Sequence, residues 1–282
     1  MKKILLSLAF LSLTSLAFAQ KRTDYTVVPS LVIDAKEKGN ANLADSLAQD
    51  YINNYLFKLK EDQLMDKDNL LFISKNINTT ESKGFKLFFK RRNKINSILG
   101  PDKAEYAIRG AIGKQFLPKA IRENTPGADW GPTENTVTTR FGVLGQETIY
   151  GRKLAYYGNI NDWNNYGKYY MLYFKTALKR SEFEINNITW PVFQNVSDPR
   201  VLKFACDVVM KYAIETWYSN NDPVAWDTYA NLLYKTGKTT QAIEWEEKAA
   251  KMKMGLPDEK VYTETLDKMR KGLPTWVIST SN

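Results

Sequence analysis

Residues 223–254 read PVAWDTYANLLYKTGKTTQAIEWEEKAAKMKM, and this stretch decides the fold. Trp226, Tyr229, Ala230 and Leu233 succeed one another at the offsets of a single helical face. Gly237 supplies a turn residue, and Ala242 and Ala249 are small residues on a second helix. Two antiparallel helices approach closely only where Ala or Gly faces the partner, with large side chains filling the groove elsewhere. The spacing predicts a helical hairpin. One hairpin cannot bury its apolar face alone, so the pattern also predicts neighbours stacked against it.

The same residues resemble one tetratricopeptide repeat, whose pattern is W-x2-L-G-x2-Y followed by Ala, an aromatic and Pro. By that resemblance Trp226 takes the aromatic position, Tyr229 that of the Leu, Ala230 that of the small residue and Leu233 that of the Tyr. Glu246 replaces the aromatic of the second helix, and proline arrives late, at Pro257. Both departures imply a terminal repeat that caps an array and is exposed on one side. Such arrays present the inner face of each first helix to ligands, which implies Asp227, Asn231, Tyr234 and Lys235 as ligand-binding residues. An Asn and a Lys one turn apart can hold a carboxylate or a peptide backbone.

Working outward, residues 181–195 and 199–216 have the makings of another hairpin, which Pro191 would distort. Residues 154–158 followed by 161–177 suggest a third. Its stripe of Trp163, Tyr166, Tyr170, Tyr173, Phe174 and Ala177 reads as core. Asp198-Pro199 is a helix start signal, and Cys206 beside Ala205 reads as a small core residue. Helices are also expected over 42–60, 69–76, 84–99 and 102–122, after an irregular lead-in at 21–29. Leu43, Leu47, Tyr51, Tyr55 and Leu59 form the apolar stripe of the first of these. Residues 123–139, with Pro126-Gly127 and Trp130-Gly131-Pro132, read as a loop or linker, and Trp130 as a candidate binding lip. The resulting organisation is a leader at 1–19, an N-terminal helical region at 20–122, the linker, and a helical-repeat region at 140–282. The fold class is all-α, built as stacked antiparallel hairpins in a tetratricopeptide-like α-solenoid.

A wider resemblance covers roughly residues 80–270. Residues 185–190 (INNITW), 197–202 (SDPRVL) and 227–234 (DTYANLLY) are similar to the helical extension of exported thioredoxin-like proteins of the Bacteroidetes. In that family the extension accompanies a redox domain with a C-x-x-C motif. This chain has no such motif, so the resemblance implies the helical module without thiol exchange.

Lys2 and Lys3, the apolar stretch from Ile4 to Leu16 and Ala17-Phe18-Ala19 have the form of a cleavable secretory signal. The expected location is periplasmic or extracellular. No later segment reaches the ~18 consecutive apolar residues of a membrane helix, so no integral membrane segment is expected after cleavage.

Composition removes several chemistries. Cys206 is the only cysteine and there is no histidine, which excludes internal disulfides, Ser-His-Asp and Cys-His catalysis, and imidazole-based metal sites. No metal and no cofactor is expected. The net charge of +9, with Lys90, Arg91, Arg92 and Lys94 close together, invites a nucleic-acid reading. The export signal and the apolar opposite face of Phe85, Phe88, Phe89, Ile95 and Ile98 favour a solvated polar face instead, so no nucleic-acid partner is expected. Three functions fit: a binding protein for a peptide, protein or glycan; a carboxylate-dependent hydrolase; or a structural subunit of a larger assembly. The hydrolase needs two acids facing across a cleft at ~5–9.5 Å, with Asp129, Glu134, Glu147 and Asp162 as its candidates.

Overall fold

Several helices in this chain start where the sequence supplies a side-chain cap. Asn40, Asp66, Ser82, Glu184, Asp198 and Asp222 each accept a backbone N–H of the first turn through their side chains, satisfying donors that a helix cannot satisfy internally. A computed structural model describes residues 24–123, 125–177, 181–211, 214 and 221–277. The leader at 1–19 and part of the expected helix at 199–216 lie outside them. The architecture is all-α, and no strand occurs among the described residues.

The chain forms two compact units that meet in sequence at Leu64–Met65. In the first, α1 (Val28–Glu37) and α2 (Ala41–Asn54) form a hairpin, followed by a 3-10 turn (Leu56–Lys58) and α3 (Glu61–Leu64). The expected lead-in at 21–29 thus runs into a helix. Its Val28, Val32 and Ala35 are buried, as are Ala44, Ala48, Tyr51 and Ile52 of α2. Leu43, expected in the apolar stripe, is 47% exposed. The side-chain face shifts because α2 packs through its small alanines, which allow α1 to approach.

The second unit runs α4 (Lys67–Lys75), α5 (Lys83–Lys90), α6 (Arg92–Leu99), α7 (Lys103–Phe116), α8 (Lys119–Arg122), α9 (Gly131–Asn159), α10 (Trp163–Ala177), α11 (Ile185–Asn195), α12 (Pro199–Val208), α13 (Pro223–Lys235), α14 (Thr239–Lys253) and α15 (Glu259–Arg270). The single helix expected over 84–99 is broken at Arg91, whose backbone leaves the helical region (φ −112°, ψ 23°). The helix expected over 102–122 ends at Leu117, which is extended because Pro118 follows it.

The expected loop at 123–139 shrinks to the residues before Gly131. Pro132 sits in the first turn of α9, where a missing N–H costs nothing, so the proline begins a helix there. That helix kinks at Gly142 (φ 59°, ψ −139°), a conformation that favours glycine. Its second half pairs with α10 around a short turn at Ile160–Asp162. The expected core stripe of α10 is buried through Tyr166, Tyr170, Tyr173, Phe174 and Ala177. Pro191 lies inside α11, which runs on through it to Asn195.

The hairpin expected at 223–254 is α13 and α14. Ala230, Leu232, Leu233 and Ala242 are buried between them, and the turn closes with Gly237 at φ 84° and the Lys238 N–H donating to the Leu233 carbonyl, 2.9 Å. It is not terminal. α15 packs on α14, placing Tyr262 and Leu266 against Ala249 and Ala250. The exposed cap implied by Glu246 is therefore corrected: Glu246 is fully buried, and α14 packs against both α13 and α15.

Candidate functional site

The four acids proposed for hydrolysis are each committed elsewhere. Asp129 is exposed and accepts the Gly131 N–H at 3.0 Å. Glu134 pairs with the ammonium of Lys153. Glu147 is wholly buried and ion-paired to Arg109 of α7 at 3.1 Å. Asp162 caps α10, accepting the Asn165 N–H at 3.1 Å. None of these contacts assembles two carboxylates around a common space.

Trp130 does not form a lip. It is 5% exposed, edge-on to Tyr156 at 5.7 Å, with the Lys153 ammonium 5.4 Å from its ring centre. The segment around it is tied down by Tyr156, whose hydroxyl donates to the Thr125 carbonyl at 2.6 Å and accepts the Ala128 N–H at 3.3 Å. A Trp beside turn residues reads as exposed in sequence; here the following helix folds over it.

The four residues expected on the inner face of α13 divide into two sets. Asn231 is buried, and its amide donates at 2.9 Å both to the Asp227 carbonyl and to the Asp227 carboxylate. Beside them lies Glu246 of α14, fully buried. As a carboxylate, neither oxygen of Glu246 has a donor. Glu246 and Asp227 hydrogen-bond to each other only when a proton sits between them. Burial is the main cause that pushes both carboxyls well above their ordinary range, and the Asp227 charge adds to the effect at Glu246. Tyr262 of α15 is also pushed up, by burial first and by Asp227 further down, with Lys253 opposing. Asp227 and Asn231 thus belong to the hairpin's interior and not to an open groove.

Tyr234 and Lys235 face α11 and the segment after α15. The Lys235 ammonium donates to the Phe193 carbonyl near the C-terminal end of α11, where a cation is favourable. It also lies 5.7 Å from the Phe193 ring centre and 5.3 Å from that of Trp276, and burial lowers its pKa. Tyr234 contacts the same Trp276 at 6.2 Å between ring centres.

An open cleft does lie next to this set. Leu202, Lys203, Cys206 and Asp207 of α12 form one wall, Tyr229 and Lys235 of α13 the other, and Thr236 and Lys238 of the turn close one end. Its volume is about 480 Å³, against about 300 Å³ for the apolar hollow between α9, α10 and α11. Lys203, Asp207 and Lys238 are exposed at its rim, and Leu202 and Cys206 are buried in its floor. Burial pushes the Cys206 thiol up to about 11, while Lys238 and the Thr236 hydroxyl act the other way. The arrangement is amphipathic: an apolar floor with Lys203, Lys238 and one acid, Asp207, at the mouth. Of its residues the sequence pointed only to Lys235; Lys203, Lys238 and Tyr229 carry no local signal, since the cleft is made by two helices and a turn meeting.

No protein-family model, curated protein or solved structure matches this chain. No helix among the described residues is long and apolar enough to cross a membrane.

Proposed function

We propose that this chain is an exported helical-repeat binding protein, periplasmic or extracellular, that holds a peptide, protein or glycan segment in the cleft between α12 and the α13–α14 hairpin. The observation that carries the reading is the cleft itself: about 480 Å³, with Lys203 and Lys238 outnumbering Asp207 at the rim, over Leu202 and Cys206 in the floor and Tyr229 in the wall. Small-ligand sites combine an apolar lining with a few placed polar groups in this way. The ligand it fits best is a segment carrying a carboxylate beside an apolar or sugar-ring surface. Export rests on the leader pattern of Lys2, Lys3 and Ala17-Phe18-Ala19.

The test uses Cys206 as an internal reporter, because it is the only thiol and lines the cleft. Acidic dodecapeptides containing Phe or Leu, and oligogalacturonates, are added to the full chain with their neutral counterparts as controls. The expected result is slower maleimide reaction at Cys206 and a raised melting temperature with the acidic members, both lost in the Lys203→Glu/Lys238→Glu double variant. Unchanged labelling and melting with every acidic ligand would reject the reading.

A further inference from the structure

The segment after α15 occupies a notch that shares only Lys235 with the cleft. The Leu273 N–H donates to the Lys268 carbonyl at 2.9 Å, closing the end of α15, and the chain then bends at Thr275 and Trp276 against α11. Trp276 enters between Phe193, 6.3 Å away and perpendicular, and Tyr234, 6.2 Å away. Lys235 presents its ammonium to the indole face, a contact that an aromatic ring makes and an aliphatic side chain does not. The Val277 N–H donates to Gln194 Oε1 at 3.1 Å, so the backbone is read as well as the ring.

The hold on this strap is light. Leu273 is 50% and Val277 73% exposed, and Pro274 and Thr275 between them are only half-buried. The Thr275 hydroxyl is buried with no partner, a polar group left unsatisfied by the docking. Helix–helix contacts in the same unit bury alanines and leucines completely. The strap thus has the features of a bound peptide: one anchoring ring, a backbone hydrogen bond to a side chain, exposed neighbours and an imperfect fit.

We infer that the notch of Phe193, Gln194, Tyr234 and Lys235 is a binding site for a peptide segment bearing a tryptophan-like aromatic side chain. The strap around Trp276 is its resident, displaceable occupant. A tethered occupant competes at high effective concentration, so an incoming segment binds the full chain more weakly than a chain without the anchor. This site does not depend on the cleft reading and is tested without it.

The probe is a fluorescein-labelled peptide of residues 271–277, KGLPTWV, followed by anisotropy. Two proteins free the notch: a chain ending at Leu273, and the full chain with Trp276→Ala, which keeps the strap backbone should the shortened chain fail to fold. The expected result is saturable binding to either, at least about tenfold tighter than to the unaltered chain. A peptide with Ala at the tryptophan position should not bind, and adding Tyr234→Ala to the receptor should abolish binding. Absence of binding to a Trp276→Ala chain with an unchanged helical spectrum and cooperative melt would overturn the proposal, as would equal binding to the unaltered chain. A concentration-dependent dimer of the unaltered chain, lost with Trp276→Ala, would assign the notch to the tail of a second copy and overturn the displaceable-strap account.

Discussion

Asp227 of α13 and Glu246 of α14 face each other inside the helical hairpin and hydrogen-bond only while they share a proton. Glu246 occupies a fully buried position on the same stripe as two close-contact alanines. Two ionised carboxylates cannot coexist there without cationic compensation. The groups around them are Asn231 of α13 and Tyr262 of α15, with Lys253 of α14 lying over the Tyr262 ring at 5.3 Å.

This arrangement makes stability depend on pH with a definite sign. Both folded carboxyls bind their proton more tightly than in the unfolded chain, so the stabilisation is complete below the ordinary carboxylate range. It is then lost as pH rises towards about 9, where Glu246 ionises. Urea unfolding between pH 5 and 9 should show falling stability with rising pH. Glu246→Gln should flatten that dependence, and Glu246→Leu should raise stability at pH 8 by about 1–3 kcal/mol. A Glu246→Gln chain with an unchanged pH slope would remove the pair from the explanation.

A second buried pair carries opposite charges. Arg109 and Glu147 join α7 to α9 at 3.1 Å with 3% and 0% exposure. Arg109→Met removes the cation paired with the buried Glu147 side chain, and should cost roughly 3–5 kcal/mol. The double variant Arg109→Met/Glu147→Leu should recover most of that loss, measured by chemical denaturation. A coupling energy near zero in the double-mutant cycle would contradict the pairing.

The kink in α9 gives a steric prediction. A Cβ at Gly145 would lie 2.4 Å from the Val137 carbonyl oxygen, a backbone atom that cannot swing aside. Gly145→Ala should therefore destabilise by about 1–3 kcal/mol. Gly110, inside α7 with nothing within 4 Å of its added Cβ, is the matched control. Gly110→Ala should stabilise by about 0.5–1 kcal/mol through helix propensity. Thermal melts of both variants decide the matter.

Cys206 should react slowly at neutral pH, because burial raises its thiol to about 11. Its alkylation rate by iodoacetamide should climb by roughly tenfold per pH unit between 8 and 10, following the thiolate fraction. A rate that levels off near pH 8 would mean that the thiol sits in a more open cleft than described.

The sequence by itself determined the all-helical class and the hairpin at 223–254. The turn glycine and the spacing of Ala230, Leu233 and Ala242 are local signals that tertiary context did not override. The core role of the α10 aromatics was equally legible, since a stripe at helical spacing has one apolar face to bury. Only the tertiary structure decided which side chains are available to a partner. Asp227, Asn231, Tyr234 and Lys235 look alike in sequence, as polar residues on a first helix. Yet α14 encloses the first two and the Trp276 strap covers the last two. Trp130 looked exposed beside its turn until α9 began one residue later and enclosed it. The cleft of Lys203, Cys206 and Lys238 was not legible at all. Helical periodicity reports which face of one element is apolar; a cavity exists only where separate elements fail to close on each other.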